Sequence, residues 1–257
     1  MRYIDLHGVL SEWEYDAELI SARKVVGGDG RIKIQMRVEL GLLQMEAEGR
    51  PDGVRPHEHA SLCAYVKQRR KQFARRRGGK RRKFQLTPEM CADLCDEASL
   101  YYRRYVALFV LEDFEGVIRD TSHNLQILDL LQYHAREVGD RDRLEQFRPY
   151  VLMMNARARA YQAIGENDVS SAVAHTNRGL SHIQAYLEET GRPEVFDTCE
   201  EVRVLLTLRD ELAQQLPEDS LMVTRKALRE AIEQDRFEEA AELHERLREI
   251  NQKRTPL

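Results

Sequence analysis

Eleven basic residues crowd one stretch of this chain: Lys67, Arg69, Arg70, Lys71, Arg75, Arg76, Arg77, Lys80, Arg81, Arg82 and Lys83, with no acid among them. Their chemistry is electrostatic rather than covalent. Such a run can release counterions from a phosphate backbone, dock on an acidic protein surface (this chain's own body included), or stay a solvated linker. Removing these eleven from the 40 basic residues leaves 29 against 44 acids, about −15, although the whole chain carries only −4. An acidic body with one cationic segment holds an anionic partner at one place and repels it elsewhere. For a nucleic-acid partner, Phe73 and Phe84 are the rings placed to stack on an unpaired base. No groove-reading motif flanks the segment, so the expected binding is backbone-driven and salt-sensitive.

A second constellation has metal-ligand residue types. His59 and Cys63 stand four apart, as do Cys91 and Cys95, with His57 nearby. Two such pairs on separate helices carry the donor set of a tetrahedral zinc site. Against this, Cys91 and Cys95 also belong to an apolar helical stripe, reduced cysteine is among the most buried residues, and CxxC knuckles are absent. The expectation is no metal and no cofactor. Nothing marks an enzyme either: there is no nucleophile elbow, Walker loop, dinucleotide fingerprint or HExxH. The Gly27-Gly28-Asp29-Gly30 run has strand patterns on both sides, whereas a phosphate cradle leads into a helix.

The elements that must position these residues follow from periodicity. With 42% apolar, 33% charged and 7% aromatic residues in 257, the composition suits surface-rich helices better than a large β core. No stretch approaches the length of apolar chain that spans a bilayer, and Met1–Leu10 lacks the pattern of a signal peptide. A cytoplasmic protein is expected, and four cysteines fit a reducing compartment. Residues 31–40 alternate apolar and polar, the signature of a half-buried strand. A weaker strand at Ile20–Val26 precedes it across the glycine-rich turn, and a phase flip at Gly41 suggests a bulge before a third strand, closed by the turn at Gly49–Gly53. A helix is expected over Pro56–Arg77, broken by Gly78-Gly79. From Thr87, an N-cap followed by Pro88, the pattern is helical. One stripe holds Cys91, Cys95, Ala98, Tyr102, Tyr105 and Phe109, and further helices are expected near 115–138, 144–164, 169–189, 198–215, 220–234 and 237–250. Pro149 should kink or restart the second of these.

Val117–Leu125 aligns with Ala172–Leu180 at an offset of 55, each copy preceded by a helix and a short polar turn. That is the organisation of stacked helical hairpins. It loosely resembles a tetratricopeptide-type stack, with Tyr161, Gly165, Ala172 and Leu180 near that family's aromatic and small positions. The offset exceeds that family's repeat, and its tryptophan and terminal proline are missing. The resemblance implies a concave protein-binding face.

The tail, Leu228–Ile250, resembles the UVR motif of the UvrB and UvrC excinuclease subunits and of some bacterial chaperone and kinase adaptors. The carrying features are an apolar first helix, the turn at Gln234-Asp235-Arg236, the Phe237-Glu238-Glu239-Ala240-Ala241-Glu242-Leu243 core and the closing Leu247 and Ile250. The Arg-Asp that usually follows the core leucine is His244-Glu245 here. The resemblance implies a helical hairpin that mediates protein contact, with Leu228, Phe237, Ala240, Ala241, Leu243 and Leu247 as its contact residues.

The expected architecture is mainly α. A small antiparallel β-module spans 1–56 and a basic helix and connector 57–86; a helical-repeat body covers 87–216 and a UVR-like hairpin 217–257. The expected function is that of a non-catalytic adaptor binding protein partners through the repeats and the hairpin, self-association included. The alternative is a nucleic-acid-binding accessory factor in DNA repair that works through residues 67–83.

Overall fold

A computed structural model describes residues 5–76 and 83–215 and, in the tail, 224, 227, 228, 231, 232, 234 and 236–254. The fold is mainly helical with one three-stranded antiparallel sheet near the N-terminus. The chain divides into two compact units, residues 1–158 and 159–257. Among the described residues no helix is long and apolar enough to cross a membrane.

The first unit opens with a single helical turn, α1 (His7–Leu10), and the meander β1 (Ala22–Val26), β2 (Ile32–Val38) and β3 (Gly41–Glu46). The β1–β2 loop closes with the Gly27 N–H donating to Arg31 O, and Gly30 takes the positive φ of 75° that a bulky residue resists. The phase flip at Gly41 is a tight hairpin and no bulge: Val38 pairs with Gly41, leaving Glu39 and Leu40 as the loop. A two-residue reversal shifts the inward-facing set just as an inserted residue would, which is why the sequence pattern suited both. Ile34 and Met45, neighbours in register, are the buried apolar pair of the sheet.

Helix α2 runs from Leu62 to Arg76 and does not include residues 56–61 as the periodicity suggested. Ser61 starts it, its Oγ accepting from the Ala64 N–H. Upstream lies only a 3₁₀ turn at Pro56–Glu58, in which His57 and Glu58 both adopt positive φ. Helix α3 (Pro88–Val110) has the expected Thr87 cap, whose side chain accepts from the Met90 N–H. Helix α4 (Phe114–His134) stops short of the expected Val138. Ala135 turns extended and bridges to Leu86, whose N–H donates to His134 O at 2.7 Å and satisfies a carbonyl at the helix end. A short α5 (Val138–Asp142) follows, and α6 restarts at Arg148 and runs to Gly165, with Pro149 in its first turn where no N–H is needed. Leu62, Cys63, Val66, Cys91, Leu94, Cys95, Ile127 and Leu131 of α2, α3 and α4 form a core.

The second unit contains α7 (Val169–Glu189) and α8 (Glu200–Ala213), with a core of Ala160, Ala163, Ala172, Val173, Leu208 and Leu212. Helix α9 (Phe237–Arg254) belongs to the tail. The helix expected at 220–234 falls largely outside the described residues.

The 55-residue repeat is structural. Glu112 and Asn167 both take positive φ; the Asp113 and Asp168 N–H groups donate back to Leu108 O and Ala163 O. The two aspartate side chains then cap α4 and α7 by accepting from Gly116 N and Ser171 N. Thr121 and Thr176 donate to Val117 O and Ala172 O. Every one of these pairs keeps the same offset, so one helix–turn–helix device occurs twice.

The expected stripe on α3 needs correction. Tyr102 is exposed, and Tyr101, Arg104 and Glu97 are buried instead. Arg104 makes a two-pronged ion pair with Asp120 of α4, Nε to Oδ2 at 2.6 Å and Nη2 to Oδ1 at 2.8 Å, both side chains fully buried. Its Nη1 donates to Glu46 O at the end of β3, and Arg119 donates to Ala47 O, so two arginines latch the sheet to the helices. Glu97 accepts from Leu62 N (2.7 Å), Cys63 N (2.9 Å) and His123 Nε2 (3.0 Å), capping α2 from another helix.

Candidate nucleic-acid interface

The basic segment begins on α2. Lys67, Lys71 and Arg75 lie at i, i+4 and i+8 and share one face with Arg70. Arg69, Arg70, Lys71 and Arg75 are exposed, Lys67 half-buried. Arg76 ends the helix; Arg77, Lys80, Arg81 and Arg82 lie outside the described residues, and Lys83 is exposed just after them. Among the described residues Lys67, Arg69, Arg70, Lys71, Arg75 and Lys83 pair with no acid. Lys67 donates to Gln126, Arg70 lies 3.2 Å from His134 Nε2, and Arg69 sits over the Tyr65 ring at 5.7 Å. Elsewhere in the same unit Lys24, Arg31, Lys33, Arg104 and Arg119 each have a carboxylate partner. Like charges at i, i+4 spacing repel one another on an isolated helix, so this face costs stability until an anion covers it. The positions of these charges toward the C-terminal end of the helix offset part of that cost.

The rings near the basic segment are engaged to different degrees. Phe73 and Phe84 meet edge to face at 5.8 Å, and Phe84 is further engaged with His134 and the core. A second ring system lies at the other end of the helix, with His57 exposed and His59 and Tyr65 half-buried. His57 stacks on Tyr65 at 4.0 Å, His59 meets Tyr65 edge-on at 5.3 Å, and Arg69 follows one turn later. The positive φ values of His57 (49°) and Glu58 (63°) are unfavourable for such residues and hold the exposed His57 ring over Tyr65. Both ring nitrogens of His59 face oxygen, Gln68 Oε1 on one side and His57 O at 2.6 Å on the other. Those two hydrogen bonds favour the imidazolium and raise the pKa of His59 above its ordinary value. His134 is pushed the opposite way, by burial and by the Arg70 charge.

Three of the four cysteines are core residues. Cys63, Cys91 and Cys95 are buried in the α2–α3–α4 core, and burial raises the thiol of Cys63 to about 12 and that of Cys91 to about 11. His59, the fourth member of the considered zinc set, is instead bonded to Gln68 and His57 O. Among the described residues no three His, Cys, Asp or Glu side chains converge as metal ligands.

In the tail, Ala240 and Leu247 are buried, Leu228 and Leu243 half-buried, and Ala241 exposed. The side chain of Phe237 lies outside the described residues.

No family model, curated protein or solved structure matches this chain.

Residues His57, Tyr65 and Gln68 carry no signal in the sequence beyond their closeness to the basic run. Their assembly depends on the left-handed turn at His57, and nothing in residue type announces that a histidine and a glutamate will take positive φ together.

Proposed function

We propose that this chain is a non-catalytic binding protein that holds single-stranded nucleic acid on α2, and whose terminal hairpin brings a protein partner to it. The observation that carries the first part is the cationic surface of α2: Arg69, Arg70, Lys71 and Arg75 are exposed without acidic partners in a unit whose other cations are mostly paired. Lys67, Arg70, Lys71 and Arg75 suit successive phosphates, while the exposed His57 ring, backed by Tyr65, offers a sequence-tolerant surface to an unpaired base. The acidic remainder of the chain confines a polyanion to this face.

Fluorescence anisotropy with short single-stranded oligonucleotides over a salt series tests the reading. Affinity should vary little with base sequence and fall steeply with salt. The triple substitution of Arg70, Lys71 and Arg75 by Gln should flatten the log–log salt slope by about 2, at roughly 0.7 per phosphate contact on single strands. His57→Ala should weaken single-strand binding more than duplex binding. Retention that is the same in the triple variant, with helicity intact, refutes the assignment.

The second part rests on the UVR resemblance together with exposed Ala241 and Ile232 on the described part of the motif. Phe237→Ala should weaken partner or self-association by about 2 kcal/mol if the ring is an anchor. Sedimentation of both proteins measures self-association, and native-lysate capture with each compares partner recovery. A substitution that alters neither removes the hairpin from this role.

A further inference from the structure

We propose that a cavity at the foot of α2 is a binding site for a phosphate monoester. The cavity encloses about 280 Å³ and is lined by Gly49, Ala60 and Ser61 from the β3–α2 segment, Tyr101 and Arg104 from α3, and Arg119, His123 and Gln126 from α4. No acid lines it. The acids behind it are fully buried and already engaged: Asp120 accepts from Arg104 and Arg119, and Glu97 accepts from the first two N–H groups of α2 and from His123.

The lining groups retain capacity toward an oxyanion. Arg104 is fully buried and spent on Asp120 and Glu46 O, so it backs the wall of the cavity and leaves ligand contact to its neighbours. Arg119 shares its Nη1 with Glu48, whose side chain is 83% exposed and therefore an exchangeable counterion. The Ser61 hydroxyl accepts from Ala64 N–H and keeps its own proton to donate. Gln126 accepts from Lys67 through Oε1, with its amide NH₂ left over. The stacked Tyr101 and His123 rings, 3.7 Å apart, are part of the lining. A monoester has three terminal oxygens, one each for Arg119, the Ser61 hydroxyl and the Gln126 amide, where a diester has only two.

The source of the phosphate follows from what adjoins the cavity. Gln126 is held by Lys67, the first cation of the α2 face, so the cavity is continuous with that face and is placed to take the phosphorylated end of a strand lying on it. This choice of source rests on the nucleic-acid reading of α2; the phosphate chemistry of the cavity does not.

The test uses the full chain and three probes: a short oligothymidylate with a 5′-phosphate, the same strand with a 5′-hydroxyl, and thymidine 5′-monophosphate. Wild type should prefer the phosphorylated strand by about tenfold, the scale of one or two charge-assisted hydrogen bonds. That preference should disappear in Arg119→Gln and in Gln126→Glu, the latter an exposed position that leaves the core untouched; thermal melts confirm that both fold. Equal binding of the two strands with no binding of the mononucleotide overturns the cavity assignment and leaves the α2 reading standing. So does a preference that persists in both variants, because it then reflects added charge alone. Mononucleotide binding that both variants lose, with the 5′-hydroxyl strand not retained, supports the cavity and overturns the α2 reading. Failure of all three probes to bind overturns both.

Discussion

Asp120→Ala should destabilise the first unit by about 3–5 kcal/mol, the cost of leaving a buried charge without its partner. Arg104 and Asp120 are both fully buried, and the carboxylate also receives Arg119 Nε at 2.9 Å. Without it, two guanidinium groups face each other, one of them with no access to water. The same arginines hold the end of β3 through Glu46 O and Ala47 O, so the sheet should loosen with the helices. Chemical denaturation followed by far-UV circular dichroism gives the magnitude, and amide exchange in β3 reads the loss of the latch. The paired replacement Arg104→Met with Asp120→Leu should recover much of the stability, since apolar groups of similar volume often substitute for a buried ion pair at little cost. A single Asp120→Ala chain within 1 kcal/mol of wild type would show that the pair is compensated elsewhere.

Glu97→Gln is the second large effect, expected at about 2–3 kcal/mol although the side chain keeps its shape. The carboxylate accepts at both oxygens, from Leu62 N and from Cys63 N, and also from His123 Nε2. An amide has one accepting oxygen, so its NH₂ must meet a buried donor, and an unsatisfied buried N–H carries its full desolvation penalty. The start of α2 should fray, carrying with it Ser61 and the base of the cationic face. The pH dependence has a definite sign. Burial raises the Glu97 pKa, but the hydrogen bonds from His123 and the Cys63 and Leu62 N–H groups outweigh it and leave the group below its ordinary value of 4.5. A carboxylate lowered in the folded state contributes stability above its unfolded pKa and loses it as pH falls through the folded value. Wild type should therefore weaken below about pH 4, and in Glu97→Gln that part of the acid sensitivity should vanish. Denaturation midpoints measured from pH 3 to 7 decide the matter, and parallel curves for the two proteins would refute the cap.

Local rules were legible wherever they involve residues within one turn of each other. The alternation over 31–40, the Thr87 cap and the helix over 169–189 could all be read without a structure, because side-chain direction follows from periods of two and 3.6. The 55-residue repeat was visible in nine aligned positions, and the turn that makes it physical, with Asp113 and Asp168 as caps, rests on contacts three residues apart. The concentration of eleven cations in one stretch could also be read without a structure, whereas their lack of acidic partners on α2 could not, because acids distant in sequence could have folded against them.

What the tertiary structure alone decided is the fate of single charged and aromatic residues. Glu97, Arg104, Asp120 and His123 read as ordinary members of charged helices, and a carboxylate looks the same in a sequence whether water or a helix N-terminus solvates it. Glu97 meets Leu62 across 35 positions and Arg104 meets Asp120 across 16, pairings that exist only once α2, α3 and α4 have packed. The same packing turned Tyr102 outward against the expectation from spacing, because a helical stripe predicts a face and the neighbouring helix chooses which edge of it to cover. His57 came to stack on Tyr65 for a related reason: its left-handed backbone is held by the surrounding chain, and no rule of residue type requires it.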